Sequence, residues 1–221
     1  MTELISYFER YALISLEKQA RLFSFLGEHI LELDLDAGLA RFDSNRAYPY
    51  QVLGTESENS LTWLWAWADE QTEVPENLLV SAIQLRSWGE KEGLPEFTIP
   101  SLDLDRADGT MLSLIASEVC SASGYYRDHY EGGSLFLLLD GITLGNQQGF
   151  DRQGLIRQLA DLASRYDFDH RSALLSYLLA KEIPSTKTGG ALGAELATGE
   201  RLIAEFDPAG RVRTINGEPL I

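Results

Sequence analysis

Apolar residues recur at helical spacing over the first 26 positions. Leu4, Phe8, Tyr11, Leu22 and Leu26 form one stripe, with Ile5, Ala12, Leu16 and Phe23 beside it. The pattern predicts a long amphipathic helix with Thr2 as N-cap, Glu3 in its first turn and Gly27 as its stop. The period then changes to two. Alternation predicts strands over 30–35, 39–42 and 47–53, with turns at Asp36-Ala37-Gly38 and from Thr55 to Asn59. Pro49 inside the third strand marks an edge or a bulge. The fourth strand, Ser60 to Ala68, holds three tryptophans two apart. Trp63, Trp65 and Trp67 therefore share one face, and Leu64 and Ala66 the other.

Further on, Pro75 opens a helix that runs to about Glu92 and ends at Gly93. Phe97 to Ile99 reads as a short strand, and Asp108 or Thr110 caps a helix through about Cys120. Tyr125 to Tyr130, the turn Glu131-Gly132-Gly133 and Ser134 to Leu139 read as a hairpin. The run from Leu135 to Leu139 is apolar on both faces, as in a strand covered on both sides. Past Gly149, Leu155, Leu159, Leu162 and Tyr166 mark one helix. Asp169 caps a second that carries Ala173, Leu174, Tyr177 and Leu178. Pro184 to Gly190 reads as a linker, and 203–206 with 211–215 as a terminal hairpin. The expected fold class is α+β: a long N-terminal helix, an antiparallel meander with helices packed on it, then a helix pair and a hairpin. The expected division is a main domain over 1–148 and a C-terminal segment over 149–221 packed on it.

The chain has 221 residues and a formal net charge of -16, from 18 Lys and Arg against 34 Asp and Glu. That charge repels phosphate backbones and anionic membranes, so neither nucleic acid nor a membrane is the expected partner; a basic protein is. Cys120 is the one cysteine, so no disulfide forms within the chain. Met1-Thr2-Glu3-Leu4 lacks the basic start of a signal peptide, and a cytoplasmic location is expected.

One set of residues carries a resemblance. Gly54, Trp63, Trp65, Ala66 and Trp67, with Gly124-Tyr125-Tyr126-Arg127 ahead of an apolar strand, make the chain resemble a group of uncharacterised bacterial proteins. That group is a domain of unknown function marked by a Trp-x-Trp-Ala-Trp strand. Its members often carry Asn shortly after the Trp-Ala pair, where Asp69 is the nearest polar residue here. The resemblance covers roughly residues 1–145 and implies no reaction, ligand or catalytic residue.

The tryptophan stripe has two readings. It forms a core strand under the N-terminal helix, or it forms an aromatic platform for a ligand. Its apolar opposite face favours the core. On the platform reading the binding residues are Trp63, Trp65, Trp67, Tyr125, Tyr126 and Arg127. Three short motifs, S-x-x-K at Ser15, Ser57-Glu58-Asn59 and Lys187-Thr188-Gly189, occur in β-lactamase order, but Ser15 lies mid-helix where that chemistry needs a helix start. Asp103 to Gly109 is faintly similar to a calcium loop, but its fifth position is Ala107 and its twelfth Leu114, and it reads better as a strand end and a helix cap. His29, His129 and His170 fall in no metal-binding spacing and read as surface or capping residues. Cys120 sits at a helix end that disfavours a thiolate. Gly189 to Gly193 matches no phosphate-loop spacing. No catalytic residue, metal or cofactor is expected. The expected function is a non-enzymatic acidic interaction module, of the kind a bacterial immunity-type inhibitor of a basic toxin would be; the alternative is a small-molecule binder or enzyme with a Trp-lined pocket.

Overall fold

The computed structural model describes residues 3–71, 73–145 and 149–220. The N-cap expected at Thr2 and the boundary expected at Gln148 lie outside them. The fold is α+β. Helix α1 spans Glu3–Leu26. The chain divides into two compact units: Lys18–Leu144, and Met1–Glu17 together with Gly145–Ile221. The halves of α1 thus belong to different units. The acidity is uneven. The Lys18–Leu144 unit holds 8 Lys and Arg against 21 Asp and Glu, a formal -13, while the other holds 10 against 13, a formal -3.

The Lys18–Leu144 unit is built on an antiparallel sheet of β1 (Glu32–Asp34), β2 (Leu39–Arg41), β3 (Ala47–Ser57), β4 (Thr62–Trp65), β5 (Ser101–Asp103), β6 (Gly124–Tyr130) and β7 (Gly133–Leu139). Strands β1 to β5 follow in order, β7 pairs with β3, and β6 pairs with β7. Strand β3 is the hub. It meets β2 through 47–49, β7 through 50–57 and β4 through 54–57. It runs four residues past its expected end because the polar Thr55-Glu56-Ser57, read as a turn, pairs on both edges. A bulge falls between Val52 and Gly54. Pro49 lies one residue before the β7 ladder begins, where no strand bond is asked of its nitrogen.

Both faces of β7 are buried, as its apolar run predicts. Leu137 and Leu139 join Leu22 and Leu26 of α1 with Ala40, Phe42, Tyr50 and Val52 in one cluster. Phe136 faces the other way, its ring 5.3 Å from that of Trp63. Strand β4 stops at Trp65, and Ala66–Ala68 forms a 3₁₀ turn. Trp63 and Trp65 therefore share a face, both 0% exposed, but Trp67 leaves the strand and does not join them. Their cover is also not α1. It is the start of helix α3 (Gly109–Val119) and the 3₁₀ turn Pro95–Phe97, which stands where a strand was expected. The Trp63 indole fills a slot between two glycines: a Cβ on Gly54 would lie 2.6 Å from it, and one on Gly109 2.7 Å. Helix α2 (Val80–Glu92) ends at Gly93 in the left-handed region, φ +71°, as its sequence predicts.

In the other unit, Asp151 caps α4 (Arg152–Arg165) and Asp169 caps α5 (His170–Ala180). Phe8 packs edge-on against Tyr166 and Phe168. Strands β8 (Ser185–Thr188), β9 (Ala191–Glu195), β10 (Arg201–Phe206), β11 (Val212–Ile215) and β12 (Glu218–Pro219) form an antiparallel meander. The expected linker at 184–190 is instead β8 and its turn into β9. Among the described residues, no helix is long and apolar enough to cross a membrane.

A candidate binding cleft

Helix α1 ends at Gly27, φ +59°, whose N–H donates to Phe23 O. The carbonyls of Phe25 and Leu26 would be left without helical partners, and Arg46 Nη1 donates to both, at 3.0 and 2.8 Å. Arg46 also pairs with Asp43, which accepts the backbone N–H groups of Asn45 and Arg46. The Asn45 N–H first, and then the Arg46 guanidinium, hold the Asp43 carboxyl below its ordinary range. The β2–β3 loop is thereby fastened to the end of α1. Between residues 28–32 and 41–46 lies a cleft of about 680 Å³.

The cleft is aromatic underneath. The Phe42 ring meets those of His29 at 5.0 Å and Tyr126 at 5.6 Å, both edge-on. His29 Nδ1 lies 2.7 Å from Gly27 O, which only accepts, so Nδ1 carries the proton. The Tyr126 hydroxyl, 2.9 Å from Nε2, is then the donor to that nitrogen. Burial first, then Asp128, raises the Tyr126 pKa and keeps that donor protonated. On one wall Arg41 pairs with Asp34 at 2.9 Å. Asp34 is held below its ordinary range by the Ala37 N–H first and by Arg41 second. Glu28 and Glu32 line the cleft and have no cationic partner among the described residues. Ile30 beside them is 86% exposed, and Phe23 and Phe25 at the helix end are exposed too.

The expected ligand residues do not meet in one site. Trp63 and Trp65 are core, and Trp65 Nε1 donates to Glu96 O at 2.9 Å. Trp67 is half-buried under the Arg86 guanidinium, 4.5 Å from its ring. Tyr125 is buried, and its backbone N–H and carbonyl are both held by the Gln19 amide. Arg127 is no open anchor. It donates to Glu56 at 2.9 Å and Ser134 at 3.1 Å and lies over the Phe136 ring. Glu56 is buried and also accepts the Gly109 N–H at 2.6 Å. This network ties β3, β6 and α3 together. Ser134 lies 3.0 Å from His129 Nδ1 but is 0% exposed, so no substrate reaches its hydroxyl. Of the six, Tyr126 alone reaches the aromatic base of the cleft.

The other sequence candidates also resolve. Ser15 is buried mid-helix, and Lys18 is engaged by Ser117 O and Glu118. Asp103 ends β5, and Asp108 caps α3 by accepting the Met111 N–H at 2.7 Å. Burial pushes the Cys120 thiol up to about 11, so it is protonated at neutral pH. Among the described residues, no group of three or more His, Cys, Asp and Glu is placed to hold a metal ion.

A family model matches residues 5–142. The chain belongs to that family, a family of unknown function (DUF6882). The DUF6882 match contains the interlocked Gly54, Trp63 and Gly109, and the whole of the cleft. It ends two residues short of the boundary of the acidic unit at Leu144. No curated protein and no solved structure matches the chain.

Sequence reasoning missed the cleft because its parts come from a helix end and a loop with no shared motif. The local sequence carries no signal for it either, since Ile30 opens an apolar alternation and reads as the start of a strand.

Proposed function

We propose that this protein is a non-enzymatic acidic interaction module that receives a basic side chain of a protein partner in the His29–Phe42 cleft. The observation that carries this reading is the placement of two carboxylates without an ion-pair partner among the described residues, Glu28 and Glu32, beside His29 and the exposed Ile30 over an aromatic base. Such a site suits a Lys or Arg: the carboxylates take the charge, and the half-buried His29 ring and exposed Ile30 take the aliphatic stem. The formal -13 of this unit adds long-range attraction for a basic protein and raises its association rate. An immunity-type inhibitor in the bacterial cytoplasm, masking a basic surface, is the role this chemistry serves best. The alternative of a Trp-lined pocket keeps only the half-buried Trp67 of its three indoles, since Trp63 and Trp65 have no open edge.

The test is a photo-crosslinking residue at position 30, used in extracts of the native host. The expected result is a crosslinked protein of basic character that is lost in the Glu28→Gln/Glu32→Gln variant and weakened by salt. A crosslink unchanged by neutralising both carboxylates, or none at all, sinks the proposal.

A further inference from the structure

We infer that the C-terminal unit carries an oxyanion-binding pocket made by Arg171 and Lys187, sized for one phosphate or carboxylate group. The strand register builds it. Lys187 of β8 pairs with Leu192 of β9, and Leu192 with Ala204 of β10. Phe206 stands two residues further along β10, past a bulge at Glu205/Phe206, and lines one pocket with Lys187 and Leu192 on this face of the sheet. Arg171, in the first turn of α5, lies over that face with its guanidinium 4.9 Å from the Phe206 ring. These residues, with the turn at Gly190, enclose about 100 Å³. That is room for one oxyanion.

The chemistry of the walls selects the ligand. No residue lining this pocket is acidic, in a chain of net charge -16. Among the described residues neither Arg171 nor Lys187 has an ion-pair partner. Arg171 spends Nη2 on Asp207 O at 3.3 Å, while its buried Nε–H has no acceptor. A buried donor without an acceptor is costly, and a bound oxyanion would satisfy it. The guanidinium, fixed against Phe206, presents a planar fork; Lys187 adds an exposed point charge on the same face. The Lys187-Thr188-Gly189 triplet and the Gly189-Gly190 pair thus stand beside a cationic pocket rather than in a linker.

The experiment is an NMR titration of the full chain with sodium phosphate, with sodium acetate, and with sodium chloride at matched ionic strength. Phosphate or acetate should produce saturable shifts of the Arg171 Nε–H and the Gly190 amide, and chloride should not. The tighter of the two identifies the group the pocket takes. Lys187→Ala, an exposed residue with no partner to lose, should fold normally and weaken binding at least about tenfold. Arg171→Gln should abolish the shifts at Gly190. Shifts that fail to saturate, that chloride reproduces, or that survive Lys187→Ala unchanged would overturn the assignment.

Discussion

Gly109→Ala should destabilise the acidic unit although it places alanine in a helix. In an open helix the exchange gains up to about 1 kcal/mol. Here the new Cβ would lie 2.6 Å from Phe136 Cζ and 2.7 Å from Trp63 Cζ3, both on rings that are 0% exposed. Overpacking of that kind costs about 1–3 kcal/mol. Relief by moving the helix start would stretch the 2.6 Å bond from Gly109 N–H to the buried Glu56 carboxylate, a charge-assisted bond worth roughly 1.5–3 kcal/mol. The net expectation is a loss of about 2–4 kcal/mol. All four tryptophans, Trp63, Trp65, Trp67 and Trp88, lie in the Lys18–Leu144 unit, so fluorescence during urea unfolding reports on that unit alone. With a urea slope of about 1–3 kcal/mol/M the midpoint should fall by at least about 0.7 M. Trp63→Phe shrinks one of the two rings that block the Cβ and gives the Phe136 ring room to shift, so in that background Gly109→Ala should cost less. A neutral or stabilising Gly109→Ala, or strict additivity with Trp63→Phe, refutes the interlock.

Three further outcomes follow from the same geometry. In a Trp67→Phe/Trp88→Phe variant, the remaining Trp63 and Trp65 should emit blue-shifted fluorescence that acrylamide barely quenches; quenching close to that of a free indole would place them at the surface. Arg46→Ala releases the Phe25 and Leu26 carbonyls and the Asp43 pairing, and should cost about 1–2 kcal/mol in urea unfolding of the acidic unit; an unchanged midpoint would remove Arg46 as the fastener of the cleft. Burial lowers the folded His170 pKa from 6.5, with Asp169 and Asp207 opposing, and its Nδ1 accepts the Val212 N–H. The unfolded chain therefore takes up the proton first as pH falls, so the stability this neutral ring contributes above 6.5 is lost as pH falls from there through the folded value. Val212 amide exchange, corrected for its intrinsic pH dependence, should show less protection below pH 6.5 in the wild type and none of that change in His170→Gln; equal profiles would sink the linkage.

The sequence makes the regular elements legible where a face must be buried. The stripe of α1, the Asp108 and Asp169 caps, the Gly93 stop and the two-faced apolar β7 all follow from local chemistry, and all stand in the fold. Strand β8 was missed because its four residues are exposed and carry no apolar alternation. The hairpin signal was present instead in Gly189-Gly190, both with positive φ, the pair that a tight turn between strands demands. Trp67 was misplaced because period-two spacing persists in the letters after the chain has turned into a 3₁₀ geometry at Ala66. The buried carboxylates were invisible for another reason. Glu17 finds Lys181 164 positions away and Glu56 finds Arg127 71 positions away, and no local pattern encodes such partners. The cleft has the same origin. Only the folding of Tyr126 beneath Phe42 and His29 turns a helix end and a hairpin loop into one concave face.

The central claim is that this acidic unit recognises basic side chains at the cleft and not at the tryptophan strand. An NMR titration of the full chain with an arginine-rich decapeptide tests it most directly. The predicted result is saturable, salt-sensitive shifts confined to residues 27–32 and 41–46 and to the Tyr126 amide, lost in Glu28→Gln/Glu32→Gln. Shifts centred on residues 60–68, or spread over the acidic surface without saturating, would contradict it.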